Sequence, residues 1–125
     1  MKSYPFVTSI PKVPGVYKAD RTIYAYKQFR YGNAGFYKDR SEATLTVKKV
    51  EIPAGAIIVV SEASKFRVSA LVFNFRADHL WGAYNAPAGT YRKGYNVPDK
   101  LSLDTEENCA PGLHACHTKR AARKL

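Results

Sequence analysis

Several motifs are missing from this chain, and each absence argues against a class of protein. No run of 18 apolar residues occurs, so we expect no membrane-spanning segment and no membrane partner. The Gly-rich phosphate loop, the dinucleotide-binding fingerprint and acidic pairs spaced for Mg²⁺ are also absent. The sequence therefore argues against ATP-driven, dinucleotide-dependent and two-metal chemistry, and it predicts no cofactor.

Cysteine is scarce, with only Cys109 and Cys116 in the chain. The first fifteen residues lack an apolar stretch before their prolines, so they do not resemble a secretory signal. Two cysteines without an export signal are typical of reduced thiols in a cytosol. We therefore expect a cytoplasmic protein without a disulfide framework.

Acidic residues are outnumbered, with ten Asp and Glu against twenty Lys and Arg, which gives a formal charge of +10. Such an excess attracts polyanions over a long range, independently of their sequence. The expected partners are nucleic acid or an acidic protein. The 46% of apolar residues suffices for one modest core in 125 residues.

Short stretches of β-branched and aromatic residues predict an α+β, mainly β fold. We expect one small domain, with a short-stranded antiparallel or mixed sheet and one or two short helices. Residues 1–15 are rich in proline and predict an extended arm or edge segment. Residues 16–117 form the predicted globular domain, and residues 118–125 a short basic C-terminal helix or tail capped by Thr118.

Four stretches carry the strand prediction. In 21–31, alternate residues are expected to face opposite sides. In 44–52 the apolar positions change phase, which predicts a bulge at Lys48–Lys49. The apolar stretch 56–60 predicts a buried strand, and 67–75, apolar on both faces, predicts one central strand.

The C-terminal region concentrates thiol and imidazole groups, the ligands that Zn²⁺ prefers. The weak metal candidates are Cys109, His114, Cys116 and His117. Cys116 and His117 are adjacent, and neighbouring side chains diverge in strands and helices, so the spacing argues against a four-ligand site. We therefore predict no metal.

His114 is the one candidate catalytic residue. It could act on RNA or nucleotides if Arg67 bound a phosphate and Tyr91 stacked on a base nearby. The structural alternative is a turn at Tyr91 and an Arg67 that pairs with an acid such as Asp99 or Asp104. We favour the structural alternative, because one sequence does not show that these side chains converge.

Basic and aromatic residues interleave most densely in 24–40, a mixture typical of single-strand nucleic-acid binders. The alternative is that half of the rings face the core of a small sheet. The predicted binding residues are Tyr24, Tyr26, Lys27, Arg30, Tyr31, Lys38, Arg40, Lys48, Lys49, Lys119, Arg120, Arg123 and Lys124.

An ordered series of short motifs spans roughly residues 45–122. They are Ile52–Pro53, Lys65-x-Arg67, Tyr91-x-x-Gly94, Pro98–Asp99, Cys109-x-x-Gly112-Leu113-His114 and a following alanine, Ala121 or Ala122. This order resembles an uncharacterised domain of bacteriophages and large DNA viruses. Leu113 stands where that domain usually has Ile, and Ala115–Cys116 where an aromatic pair is common.

The resemblance implies a viral accessory protein and transfers no catalytic residue. Together with the charge, it predicts binding to nucleic acid, or to a host protein that handles nucleic acid, in the host cytoplasm. Two alternatives stay open, an RNA- or nucleotide-modifying enzyme that uses His114 and a structural or decoration protein of the virion. The oligomeric state is not predicted.

Overall fold

Nine strands and one short helix form the regular structure in the computed structural model, which describes residues 4–31, 44–61, 65–80, 91–106 and 111–124. The elements are β1 (Phe6–Val7), β2 (Gly15–Ala19), β3 (Ile23–Tyr31), β4 (Thr44–Ile52), β5 (Ile57–Val60), β6 (Lys65–Val68), β7 (Leu71–Phe73), β8 (Gly94–Asn96), β9 (Leu113–Cys116) and α1 (Lys119–Arg123).

All nine strands belong to one mixed sheet with the order β1-β2-β5-β6-β9-β3-β4-β7-β8. β1 and β2 pair in parallel, and the other described pairs are antiparallel. The predicted α+β, mainly β class with a C-terminal helix is therefore confirmed. Part of the predicted N-terminal arm forms β1, at one end of the strand order.

The longest pairing joins β3 to β4 along nine residues, from Ile23 opposite Ile52 to Tyr31 opposite Thr44. The register is unbroken, so the predicted bulge at Lys48–Lys49 is wrong. The apolar phase changes along β4 because both faces of this strand contact protein. The second half of β4 contributes buried residues to the core, and its first half lines a cleft beside α1.

The stretch 67–75 forms two strands rather than the single one predicted. β6 pairs with β5 and β9, whereas β7 pairs with β4 and β8. The chain bends at Ser69, where the backbone N–H donates to the Ile57 carbonyl at 3.0 Å and the hydroxyl accepts from the Ile57 N–H at 2.8 Å. These bonds hold the bend against β5. Apolar periodicity does not reveal such a bend.

One core cluster joins residues from most strands, which requires the sheet to curve around a single interior. The rings of Phe29, Phe73 and Tyr91 meet edge to face in this core, with centroids 5.3–5.6 Å apart. The core face of β3 and β4 is the side that carries Phe29, Val50 and Ile52.

Helix α1 packs on the opposite side of β3 and β4, which we call the outer face. Thr118 is the predicted N-cap, because its hydroxyl accepts from the Ala121 N–H at 3.1 Å. Ala122 is buried, and the Gln28 side-chain amide donates to the carbonyls of Ala122 and Arg123 at 3.1 and 3.4 Å. Among the described residues, no helix is long and apolar enough to cross a membrane.

Candidate functional site

The alternation of β3 divides the predicted binding residues between the two faces of the sheet. Tyr24, Tyr26, Gln28 and Arg30 share the outer face, since successive strand residues point to opposite sides. The directly opposed residues on β4 face the same way, so Lys49 joins this set across from Tyr26. The strand prediction for 21–31 and its assignment of faces are confirmed.

Tyr24 and Lys49 form the best-defined contact on the outer face. Tyr24 is 56% exposed, and the Lys49 ammonium lies over its ring, 4.1 Å from the centroid. A cation near an exposed aromatic ring is the pairing that single-strand binders use for a phosphate and a stacked base. Glu51 lies opposite Tyr24 and adds a negative charge at this end of the strand pair.

Helix α1 and its C-cap add four exposed basic residues to the same side of the sheet: Lys119, Arg120, Arg123 and Lys124. Lys119 and Arg123 are one turn apart and therefore share a helix face. Both line a cleft of about 450 Å³ between α1 and the strands, together with Gln28, Leu45, Thr46 and Val47. The tertiary structure thus joins the C-terminal basic residues to a strand that lies about ninety positions earlier.

Two predicted binding residues lie on the core face instead. Lys27 is only 8% exposed, and its ammonium donates to the His114 carbonyl at 2.9 Å and lies over the Phe29 and Tyr91 rings. Lys48 is half-buried, with its ammonium 5.0 Å from the Phe75 ring centroid. These lysines are therefore not part of the outer-face set.

Three other predicted binding residues receive no side-chain description. Lys38 and Arg40 lie outside the described residues. For Tyr31 the structure describes only the backbone, at the end of β3. Their assignment to the binding surface stays a prediction.

Arg67 is the largest fully buried side chain of the described residues, at 0% exposure. Its guanidinium donates to the Ser102 carbonyl at 3.0 and 3.2 Å and also to the Asp104 carbonyl. The sequence predicted that Arg67 pairs with an acid such as Asp99 or Asp104; the bond to Asp104 is made with its main-chain carbonyl. A buried charge needs such bonds, because desolvation without them is costly. Arg67 thereby anchors residues 101–106 against the sheet.

His114 lies directly opposite Arg67 in the pairing of β6 with β9. Tyr91 packs instead against Phe29 and Phe73 in the core. The proposed phosphate-and-base constellation of Arg67, His114 and Tyr91 is therefore only partly brought together. Catalysis by His114 stays a prediction.

The described part of the chain contains no cluster of three or more His, Cys, Asp or Glu residues that could hold a metal ion. Cys116 is fully buried, and His117 meets the Phe66 ring edge to face at 5.2 Å. Cys109, another of the four weak metal candidates, lies outside the described residues.

Sequence reasoning missed Gln28 as a site residue. It is 5% exposed, and its amide group joins the end of α1 to the floor of the cleft. The only sequence feature that pointed to Gln28 was its place after Tyr24 and Tyr26 among the alternate residues of β3. A single glutamine in that series does not indicate that a helix from the far end of the chain packs on it.

No family model, curated protein or solved structure matches this chain. The resemblance to the viral domain stays a prediction from its motifs.

Proposed function

We propose that this protein binds single-stranded nucleic acid through its outer face, as a viral accessory protein in the host cytoplasm. The observation that carries the proposal is the placement of an exposed tyrosine, Tyr24, with Lys49 over its ring, on the same side of the sheet as the basic helix α1. The +10 charge of the chain supports a polyanionic partner.

Two physical contributions are expected. Base stacking on an aromatic ring contributes about 1–3 kcal/mol per base, whatever the base. Each phosphate contact releases counterions, and for a single strand it adds about 0.7 to the slope of log affinity against log salt. Tyr24 supplies the first contribution, and Lys119 and Arg123 the second.

The test is fluorescence anisotropy of a labelled single strand of about 12 nucleotides, titrated at several salt concentrations. Lys119→Ala/Arg123→Ala should weaken binding and lower the slope by about 1.4. The matched control is Lys12→Ala/Lys100→Ala, which removes the same charge from exposed positions that belong to neither β3, β4 nor α1. Equal effects of the two double variants would mean that net charge, not this surface, controls binding.

Tyr24 is tested by substitution with Ala and Phe. Tyr24→Ala should cost about 1–3 kcal/mol of binding with an unchanged salt slope, whereas Tyr24→Phe keeps the ring and should bind almost normally. Absence of binding at low salt would overturn the nucleic-acid proposal. An acidic host protein would then be the partner to test at the same surface.

A further inference from the structure

We infer that the cleft between α1 and β4 binds one nucleotide and selects a base that carries an exocyclic amino group. The inference rests on the proposed function and specifies where on the outer face a base is recognised. The cleft has a volume of about 450 Å³ and combines apolar, hydrogen-bonding and cationic side chains.

The cations set the first requirement for the ligand. Lys119 and Arg123 both line the cleft and are exposed to solvent. Two cations one helical turn apart favour a phosphate, which accepts hydrogen bonds from both ammonium and guanidinium groups.

The apolar wall sets the second requirement. Val47 lies opposite Gln28 on the outer face, and Leu45, which also lines the cleft, is 48% exposed. An exposed leucine beside a half-buried valine offers an apolar surface to a flat ring. The phosphate is therefore expected to carry an aromatic base rather than to bind alone.

Gln28 sets the third requirement. Its side-chain nitrogen is committed to the carbonyls of Ala122 and Arg123, which fixes the orientation of the amide. Its oxygen is buried and has no hydrogen-bond partner among the described residues. A buried acceptor without a donor costs free energy, and a ligand that supplies the donor recovers it. The amino groups of cytosine and adenine are donors, whereas the corresponding oxygens of uracil and hypoxanthine are acceptors.

The experiment titrates the full chain with CMP, UMP, AMP and IMP, with ribose 5-phosphate as a control, and follows amide chemical shifts by NMR. CMP and AMP should bind about tenfold more tightly than UMP and IMP, because only CMP and AMP carry the exocyclic amino donor. The shifts should centre on Gln28 and Val47. Equal affinities for CMP and UMP, and for AMP and IMP, would overturn amino-group selection. Ribose 5-phosphate binding as tightly as CMP would overturn base recognition.

Two variants separate the cleft from the rest of the surface. Val47→Phe fills the cleft and should abolish the difference between CMP and UMP, whereas Val97→Phe adds the same ring at an exposed position elsewhere and should not. Lys119→Ala/Arg123→Ala should weaken all four nucleotides and preserve their ratios, which keeps the inference testable if Val47→Phe does not fold.

The two proposals fail differently. If no mononucleotide binds but the oligonucleotide still binds with its salt dependence, the cleft inference is overturned and the proposed function stands. If the oligonucleotide does not bind at low salt, the proposed function is overturned.

Discussion

Among the glycines that the structure describes, Gly112 is the one where an added methyl group should cost the most stability. Its φ is 144°, a region that side chains rarely adopt. A Cβ at this position would lie 2.8 Å from Cδ1 of Leu101 and 3.0 Å from Cβ of Arg67. Arg67 bonds the Ser102 and Asp104 carbonyls, and Leu101 belongs to the same segment, so relief of the clash requires residues 101–106 to move against the sheet.

The magnitude for Gly112→Ala follows from two costs. Backbone strain at such a φ is worth about 1–3 kcal/mol. Forcing a methyl group into a packed contact adds about 1–3 kcal/mol. We expect a loss of about 3 kcal/mol in the free energy of unfolding, which for a domain of this size lowers Tm by roughly 12 °C.

Gly55→Ala provides the matched control. Gly55 also has a positive φ, 88°, but a Cβ there would meet nothing within 4 Å. This variant should lose only the strain cost, about 1–2 kcal/mol. The assay is urea unfolding followed by circular dichroism, with both variants measured at the same pH. If Gly112→Ala is no less stable than Gly55→Ala, the predicted clash of a residue-112 methyl group with Leu101 and Arg67 is refuted.

Three further predictions concern single side chains. Arg67→Met should cost about 2–4 kcal/mol, because the Ser102 and Asp104 carbonyls lose a charged donor that is itself fully buried. It should also speed amide exchange in 101–106. Arg92→Met, at an exposed position, should have neither effect. Thr118→Ala removes the N-cap and should cost about 1 kcal/mol by thermal unfolding, most of which Thr118→Ser should restore. The Arg76 guanidinium, which donates to the Asp78 carboxylate at 2.7 and 3.2 Å, holds the pKa of Asp78 below its usual value. Arg76→Ala should therefore raise the pKa of Asp78 in a carboxyl NMR titration. Because the pKa of Asp78 is lowered in the folded state, any stabilisation from this pair is present at neutral pH and is lost as the pH falls through that pKa.

The buried cation Lys27 shows why strand alternation predicts faces better than burial. Alternation correctly placed Lys27 on the other face of the sheet from Tyr24 and Tyr26. Its position in a basic and aromatic stretch nevertheless led to the prediction that it lies on the surface. The structure buries it because the His114 carbonyl and two ring faces replace water around the ammonium. Phe29 is a neighbour on β3, but the other two partners come from β9 and from residue 91, which lie far away in sequence.

The sequence by itself determined the local features of this protein: a strand within 21–31 and its two faces, a buried strand within 56–60, and the N-cap at Thr118. Each follows from side-chain periodicity or hydrogen-bonding groups within a few residues. Only the tertiary structure decided that 67–75 breaks into two strands, that Arg67 bonds the carbonyls of 102 and 104, and that α1 lies on Gln28. These outcomes depend on contacts between residues distant in sequence, whose partners local pattern does not specify. The candidate cleft belongs to this second group, since β3, β4 and α1 form it only once they pack together.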